Sequence, residues 1–240
     1  MRSSARSTGA LAAVIAIAAG APARAQSPEP AVRLSDEVMD TRYAHAVARA
    51  PAFAAPSPDA RRAGRLRLLT EDGFPEVYLL LAGRRDAHGA MWIRLRLPQR
   101  PNGVTAWVRR RALGEFNLVH TRLVVDREAL HVTLYDRGRR RFRAPVGIGA
   151  PGTPTPAGSF WIRERFHVSD NPLYGTRAMG TAAYSNALTD WPGGGVVGLH
   201  GTSEPDLIPG RPSHGCVRLR NEDIERLYRR TPIGTPLLIR

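Results

Sequence analysis

A mainly β protein, with a small N-terminal β-barrel followed by a larger β domain that closes on one short helix, is what this 240-residue sequence predicts. Two observations carry that expectation. Apolar stretches are short and recur between turn signals, and a helical period is clear only near the C-terminus, over 221–230.

In chain order, residues 1–25 carry Arg2 and Arg6, an apolar run from Leu11 to Ala19, and Ala23-Arg24-Ala25. This charged, apolar, small-residue layout is that of a secretory signal peptide, and its run is too short to favour a spanning helix. Residues 26–60 read as an Ala/Pro-rich linker with one short helix over Ser35 to Ala48, the run from Pro51 to Pro58 being extended.

Over 61–116 the stretches Val77-Leu81, Met91-Leu97 and Ala106-Val108 alternate with turns at Gly83, His88-Gly89 and Pro101-Asn102-Gly103, which predicts the small all-β unit. From 118 to 240, strands are expected at Leu123-Val125, Leu130-Tyr135, Arg139-Gly147, Ser159-Phe166 and Val196-His200. The Gly- and aromatic-rich segment between Asp170 and Gly195 has no period and reads as a long irregular loop. Such loops cover sites, so Tyr174, Tyr184 and Trp191 are candidate substrate contacts. The helix is expected from Asn221, which can cap it, to Arg230, with Pro232 ending it.

Every basic residue is Arg, and the net charge of +14 would fall to +11 without residues 1–25. A basic surface favours anionic partners, nucleic acid and bacterial cell wall among them. The export signal argues for the wall and against nucleic acid. One unpaired thiol in an exported chain is more readily explained by chemistry than by packing, since disulfides are the rule in oxidising compartments.

That thiol is Cys216, in Ser213-His214-Gly215-Cys216-Val217-Arg218, with His200-Gly201-Thr202 shortly upstream. A thiol attacks as thiolate, and imidazoles, Arg218 and backbone N–H groups could each hold it ionised. Gly215 leaves room for a carbonyl to approach the Cys216 amide. Zinc binding by His200, His214 and Cys216 is the competing reading. His-x-Cys lacks finger spacing and no fourth ligand is evident, so acyl transfer through sulfur, with neither metal nor cofactor, is preferred.

The run from His200 through Pro205, Ile208, Gly210 and Ser213 to Cys216 and Leu219 resembles the signature of the L,D-transpeptidase (YkuD-type) catalytic domain. Gly149, Pro151, the segment from Thr153 to Gly158, Phe160, Asn221, Asp223, Leu227-Tyr228 and Gly234-Thr235-Pro236 extend the resemblance over about 118–240. Arg218 stands where some branches carry Asn.

The resemblance implies a β-sandwich in which Cys216 is the nucleophile and His200 the base, oriented by the main-chain carbonyl of Gly201. It places His214, Gly215 and the Cys216 amide on the oxyanion side and makes Ser213 a nearby hydrogen-bonding residue. Arg218 would either favour the thiolate or bind a substrate carboxylate. The implied activity is that of an exported enzyme, membrane-anchored if residues 1–25 are not cleaved and expected to be a monomer, that acts on peptidoglycan stem peptides to form 3→3 cross-links through a thioester. The alternatives are hydrolysis of that thioester as an L,D-carboxypeptidase, transfer to another acceptor, and a non-catalytic wall-binding protein. The segment Thr105-Ala106-Trp107-Val108, followed by Ala112-Leu113, resembles the last strand of bacterial Src-homology-like barrels, and such a barrel could bind wall polymer.

Overall fold

The computed structural model describes residues 30–169, 171–189 and 192–240. The expected signal peptide and Trp191 lie outside these residues. Among them, strands dominate, one α-helix is present, and no helix is long and apolar enough to cross a membrane.

The N-terminal unit contains β1 (Val32–Arg33), β2 (Thr41–His45), β3 (Pro51–Phe53), β4 (Arg62–Arg65), β5 (Val77–Arg85), β6 (Met91–Arg96), β7 (Thr105–Arg109) and β8 (Asn117–Val119). They form one sheet in the order β4-β3-β7-β6-β5-β2-β8, with β1 also paired to β5 and no β4–β8 pairing among the described residues. The unit is therefore wider than the 61–116 expected.

Residues 26–60 correct the sequence reading. Thr41–His45 is a strand held between β5 and β8, not part of a helix. The Asp36 carboxylate accepts from the N–H groups of Val38, Met39 and Asp40, which turns the chain into β2 instead of starting a helix. Pro51–Phe53 is extended as expected, yet it is a strand and no linker. It pairs with β4 and β7, and Phe53 meets the edge of Trp92 with ring centroids 5.8 Å apart.

The C-terminal unit contains β9 (Thr121–Asp126), β10 (His131–Asp136), β11 (Arg139–Pro145), β12 (Gly147–Gly149), β13 (Gly158–His167), β14 (Arg177–Tyr184), β15 (Val196–His200), β16 (Gly210–Ser213), β17 (Val217–Arg218) and β18 (Pro236–Ile239), with helix α1 (Asn221–Tyr228) before the last strand. The strand order is β11-β10-β9-β18-β13-β14-β15-β17-β12-β16. Strand β13 is the corner: Gly158–Trp161 pair with β18, whereas Ile162–His167 pair with β14. Residues from both halves, among them Leu123, Leu134, Phe160, Met179, Leu199 and Leu237, enclose one apolar core with Ile224 and Leu227 of α1. The described residues are thus mainly β with one short α-helix, as their periodicity predicts.

Strand β14 corrects the expected long loop. Its residues Arg-Ala-Met-Gly-Thr-Ala-Ala-Tyr are buried almost throughout between β13 and β15. A strand covered on both faces shows no alternation, so period gives no signal there.

The two units share their interior through β5. Val77 and Leu79 enter the C-terminal core, while Tyr78 and Leu80, pointing the other way, enter the N-terminal one. Polar contacts fix the junction. Trp161 donates to the Val77 carbonyl at 2.8 Å, and fully buried Arg163 lies between buried Glu76 and Glu71, the latter at 2.9 Å.

Candidate active site

Parallel pairing of β15 with β17 builds the site. Leu199 lies opposite Val217 and His200 opposite Arg218, so Cys216, one residue before β17, comes level with Gly198. The Gly198 N–H points at the Cys216 sulfur from 3.4 Å. The connection between base strand and cysteine folds back through a short 3-10 turn, Pro205–Leu207, and then β16, which pairs in parallel with β12. Its ends are tied down: Leu219 N–H donates to the His200 carbonyl at 2.9 Å, and Thr202 N–H donates to Asn221 Oδ1 at 3.1 Å.

Asn221 was expected to cap α1. It is instead the first helical residue, with Arg220 at the cap position, and its side chain holds the loop after His200. A Cβ on Gly201 would come within 2.2 Å of that Oδ1 and 3.0 Å of the Gly175 Cα, so only glycine fits between them.

His200 is 5% exposed, and its Nδ1 lies 2.6 Å from the Gly201 carbonyl oxygen. A carbonyl only accepts, so Nδ1 carries the proton and Nε2 is left basic. The Tyr174 ring packs 4.6 Å from the imidazole.

The turn bearing the cysteine is braced by hydroxyls. Ser213 Oγ donates to the Cys216 carbonyl and accepts from the Gly215 N–H at 3.1 Å. Thr155 Oγ1 donates to the Gly215 carbonyl at 2.8 Å and accepts from the Gly149 N–H at 2.9 Å. Gly215 has φ +125°, a conformation that disfavours any side chain although a Cβ there would meet nothing closer than 3.8 Å. Because its N–H is engaged by Ser213, Gly215 is not placed as an oxyanion donor. Thr155 is a positioning residue whose role the sequence alone did not reveal, because its partners are main-chain groups of distant segments.

The expected standing thiolate is not what the surroundings favour. Burial pushes the Cys216 thiol up, against the lowering effects of the Gly198 N–H and the Arg218 charge. Burial also lowers His200 to about 4, opposed by the Gly201 carbonyl and reinforced by Arg218. Both shifts favour the neutral forms, thiol and imidazole, over a standing ion pair.

Two cavities meet at this pair. One, of about 190 Å³, is lined by Tyr174, His200, Ser213, His214, Cys216 and Arg218. The other, of about 420 Å³, shares Tyr174, His200 and Cys216 and runs towards Glu164 and Asp72. Arg218 is held by Glu204 through Nη1 at 2.9 Å, while its buried Nε has no partner among the described residues.

Tyr184 belongs elsewhere. It is 5% exposed, and its hydroxyl sits among Glu71, Arg67 and the Pro98 carbonyl at the junction of the two units, so it does not reach the groove. The expected substrate role is corrected: the end of β14 is anchored by Asn102, which pairs with the Tyr184 main chain at 2.8 and 3.0 Å. Among the described residues no three His, Cys, Asp or Glu side chains converge as a metal site.

A β-sandwich whose paired strands present one buried histidine and one cysteine to a common groove defines a class of folds equipped for thiol chemistry. Residues 120–239 match the model of the L,D-transpeptidase catalytic domain (YkuD), and the chain belongs to that family. It is 30% identical over 135 residues to the Escherichia coli (strain K12) protein named Probable L,D-transpeptidase YbiS, covering 49% of this chain and 44% of that one. To Probable L,D-transpeptidase YcfS of the same strain it is 38% identical over 147 residues, covering 49% and 43%. The chain thus spans less than half the length of these two relatives. The solved catalytic domain of the Enterococcus faecium L,D-transpeptidase is 26% identical, with 50% of this chain and 96% of that chain covered and a TM-score of 0.38.

Proposed function

We propose that this protein is an exported peptidoglycan L,D-transpeptidase that forms 3→3 cross-links through a thioester on Cys216. The observation that carries the reading is the His200–Gly201 contact of 2.6 Å, because it leaves Nε2 basic in the groove that Cys216 also lines.

In the acylation half, Nε2 takes the thiol proton as sulfur attacks the carbonyl of the third, L-centred diamino acid of a stem peptide. The Cys216 N–H is the donor for the developing oxyanion, and such a donor is worth about 10²–10³ in rate. The C–N bond to the terminal D-Ala then breaks, and the imidazolium returns its proton to the departing amine. Arg218, with one Nη held by Glu204 and an Nε unpartnered among the described residues, suits the carboxylate of that leaving residue. In the second half, the side-chain amine of another stem takes the acyl group. Neither metal nor organic cofactor enters, since nucleophile, base and oxyanion donor are protein groups.

Support for export is the layout of residues 1–25, and support for a wall substrate is membership of the family. The test is to incubate purified protein with tetrapeptide muropeptides and follow D-Ala loss, dimer and acyl-enzyme by mass spectrometry. Wild type should show all three and Cys216→Ala none. Turnover surviving that substitution would remove Cys216 from the mechanism.

A further inference from the structure

The groove forks at Cys216 into arms of opposite charge. Arg218 stands in the smaller arm. The larger, of about 420 Å³, is lined by Phe166, Tyr174 and Met179 and by the acidic side chains of Glu164 and Asp72. Glu164 lies on β13 and is 1% exposed; Gly180 opposite makes room for it, since a Cβ there would sit 2.1 Å from Glu164 Oε1. Asp72 comes from the N-terminal unit, on the turn closed by Thr70 N–H donating to the Phe74 carbonyl at 2.7 Å. That turn is locked to the catalytic unit, because Thr70 Oγ1 donates to Glu164 Oε2 at 2.6 Å and Phe74 stacks on Phe166 with centroids 6.0 Å apart.

A two-substrate acyl transfer needs two approaches to one sulfur. Resting on the function proposed above, we propose that the larger arm seats the acyl acceptor and that Asp72, supplied by the N-terminal unit, selects with Glu164 for an acceptor bearing an ammonium group. The N-terminal unit is then part of the active site. Opposite charge at the ends of the fork sets the direction of binding, carboxylate towards Arg218 and ammonium towards Asp72. Leaving the Asp72 carboxylate, the ammonium releases one proton to water. Its nitrogen attacks the thioester carbon, His200 Nε2 takes the second proton, and the C–S bond breaks with that proton passing to sulfur.

The experiment forms the acyl-enzyme from donor tetrapeptide and offers two competing nucleophiles at pH 7, cationic cadaverine and neutral hydroxylamine. The ratio of cadaverine amide to hydroxamate is read by mass spectrometry. Asp72 is exposed, so substitution there leaves the core intact. Asp72→Asn should lower the ratio about two- to fivefold, and Asp72→Lys should lower it further. A ratio unchanged in both variants, with acyl-enzyme formed normally, would overturn this proposal alone. Equal loss of both products with a raised KM for the donor would give the arm to the donor and overturn it too. Absence of acyl-enzyme from wild type would remove the underlying function, and this inference with it.

Discussion

The main-chain N–H of Gly198 points at the sulfur of Cys216 from 3.4 Å, across the parallel pairing of β15 and β17. This backbone dipole is aimed at the nucleophile from the strand that also carries His200. Its stabilising effect on a thiolate is nevertheless smaller than the cost of burial, which pushes the Cys216 thiol up.

The titration of the sulfur follows from that balance. Alkylation of Cys216 by iodoacetamide should rise with pH through one inflection above the ordinary cysteine value of 9.0. A rate plateau between pH 5 and 8 would instead reveal a standing thiolate–imidazolium pair.

His200 gives a stability prediction of definite sign. Its folded pKa of about 4 lies below the ordinary 6.5, so between these values the unfolded chain binds the extra proton. Stability from the buried neutral ring is present above pH 6.5 and is lost as pH falls towards 4. The difference in urea stability between wild type and His200→Gln should shrink by about 2–3 kcal/mol across that window. A difference flat with pH would show that the ring titrates normally.

Thr155 should matter more than a loop residue ordinarily does. Thr155→Val leaves the buried Gly149 N–H and Gly215 carbonyl without their partner, at a cost of about 1–3 kcal/mol each. Acylation by a β-lactam should slow by at least about tenfold as the Cys216 turn loosens, and Thr155→Ser should restore it. Equal rates in all three proteins would make the bridge merely decorative to the site.

At the junction, Arg163→Ala should destabilise by about 3 kcal/mol, because buried Glu76 would keep only the partly exposed Arg67 at 3.2 Å. The double substitution Arg163→Met with Glu76→Leu should recover most of that loss in urea unfolding. Tyr184→Phe, which removes one hydroxyl from the same network, should lower stability by about 1 kcal/mol and leave KM for the stem peptide unchanged. A raised KM would return Tyr184 to the substrate groove.

Legibility followed local signal. Val196–His200 is legible to the residue because an apolar run ends there in a histidine, and the start of α1 is legible because Ile224 and Leu227 repeat on one face, although the helix stops at Tyr228 and not at Arg230. Strand β14 was missed since small residues buried on both faces carry no period, and β2 and β3 were missed since their partners lie far along the chain. Tyr184 was misplaced for a related reason: an aromatic residue at the end of an apparent loop looks like a lid, and only its junction partners Glu71 and Arg67 show otherwise.

The sequence by itself determined the chemical types of the site, a lone thiol, an imidazole followed by glycine and a glycine-permitted turn, because these are local and each has few physical uses. Only the tertiary structure decided the protonation of the pair, the bracing by Thr155 and Asn221, and the entry of Asp72 into the groove. Burial, register and the docking of two sheets are sums over distant residues, and no window of sequence contains them.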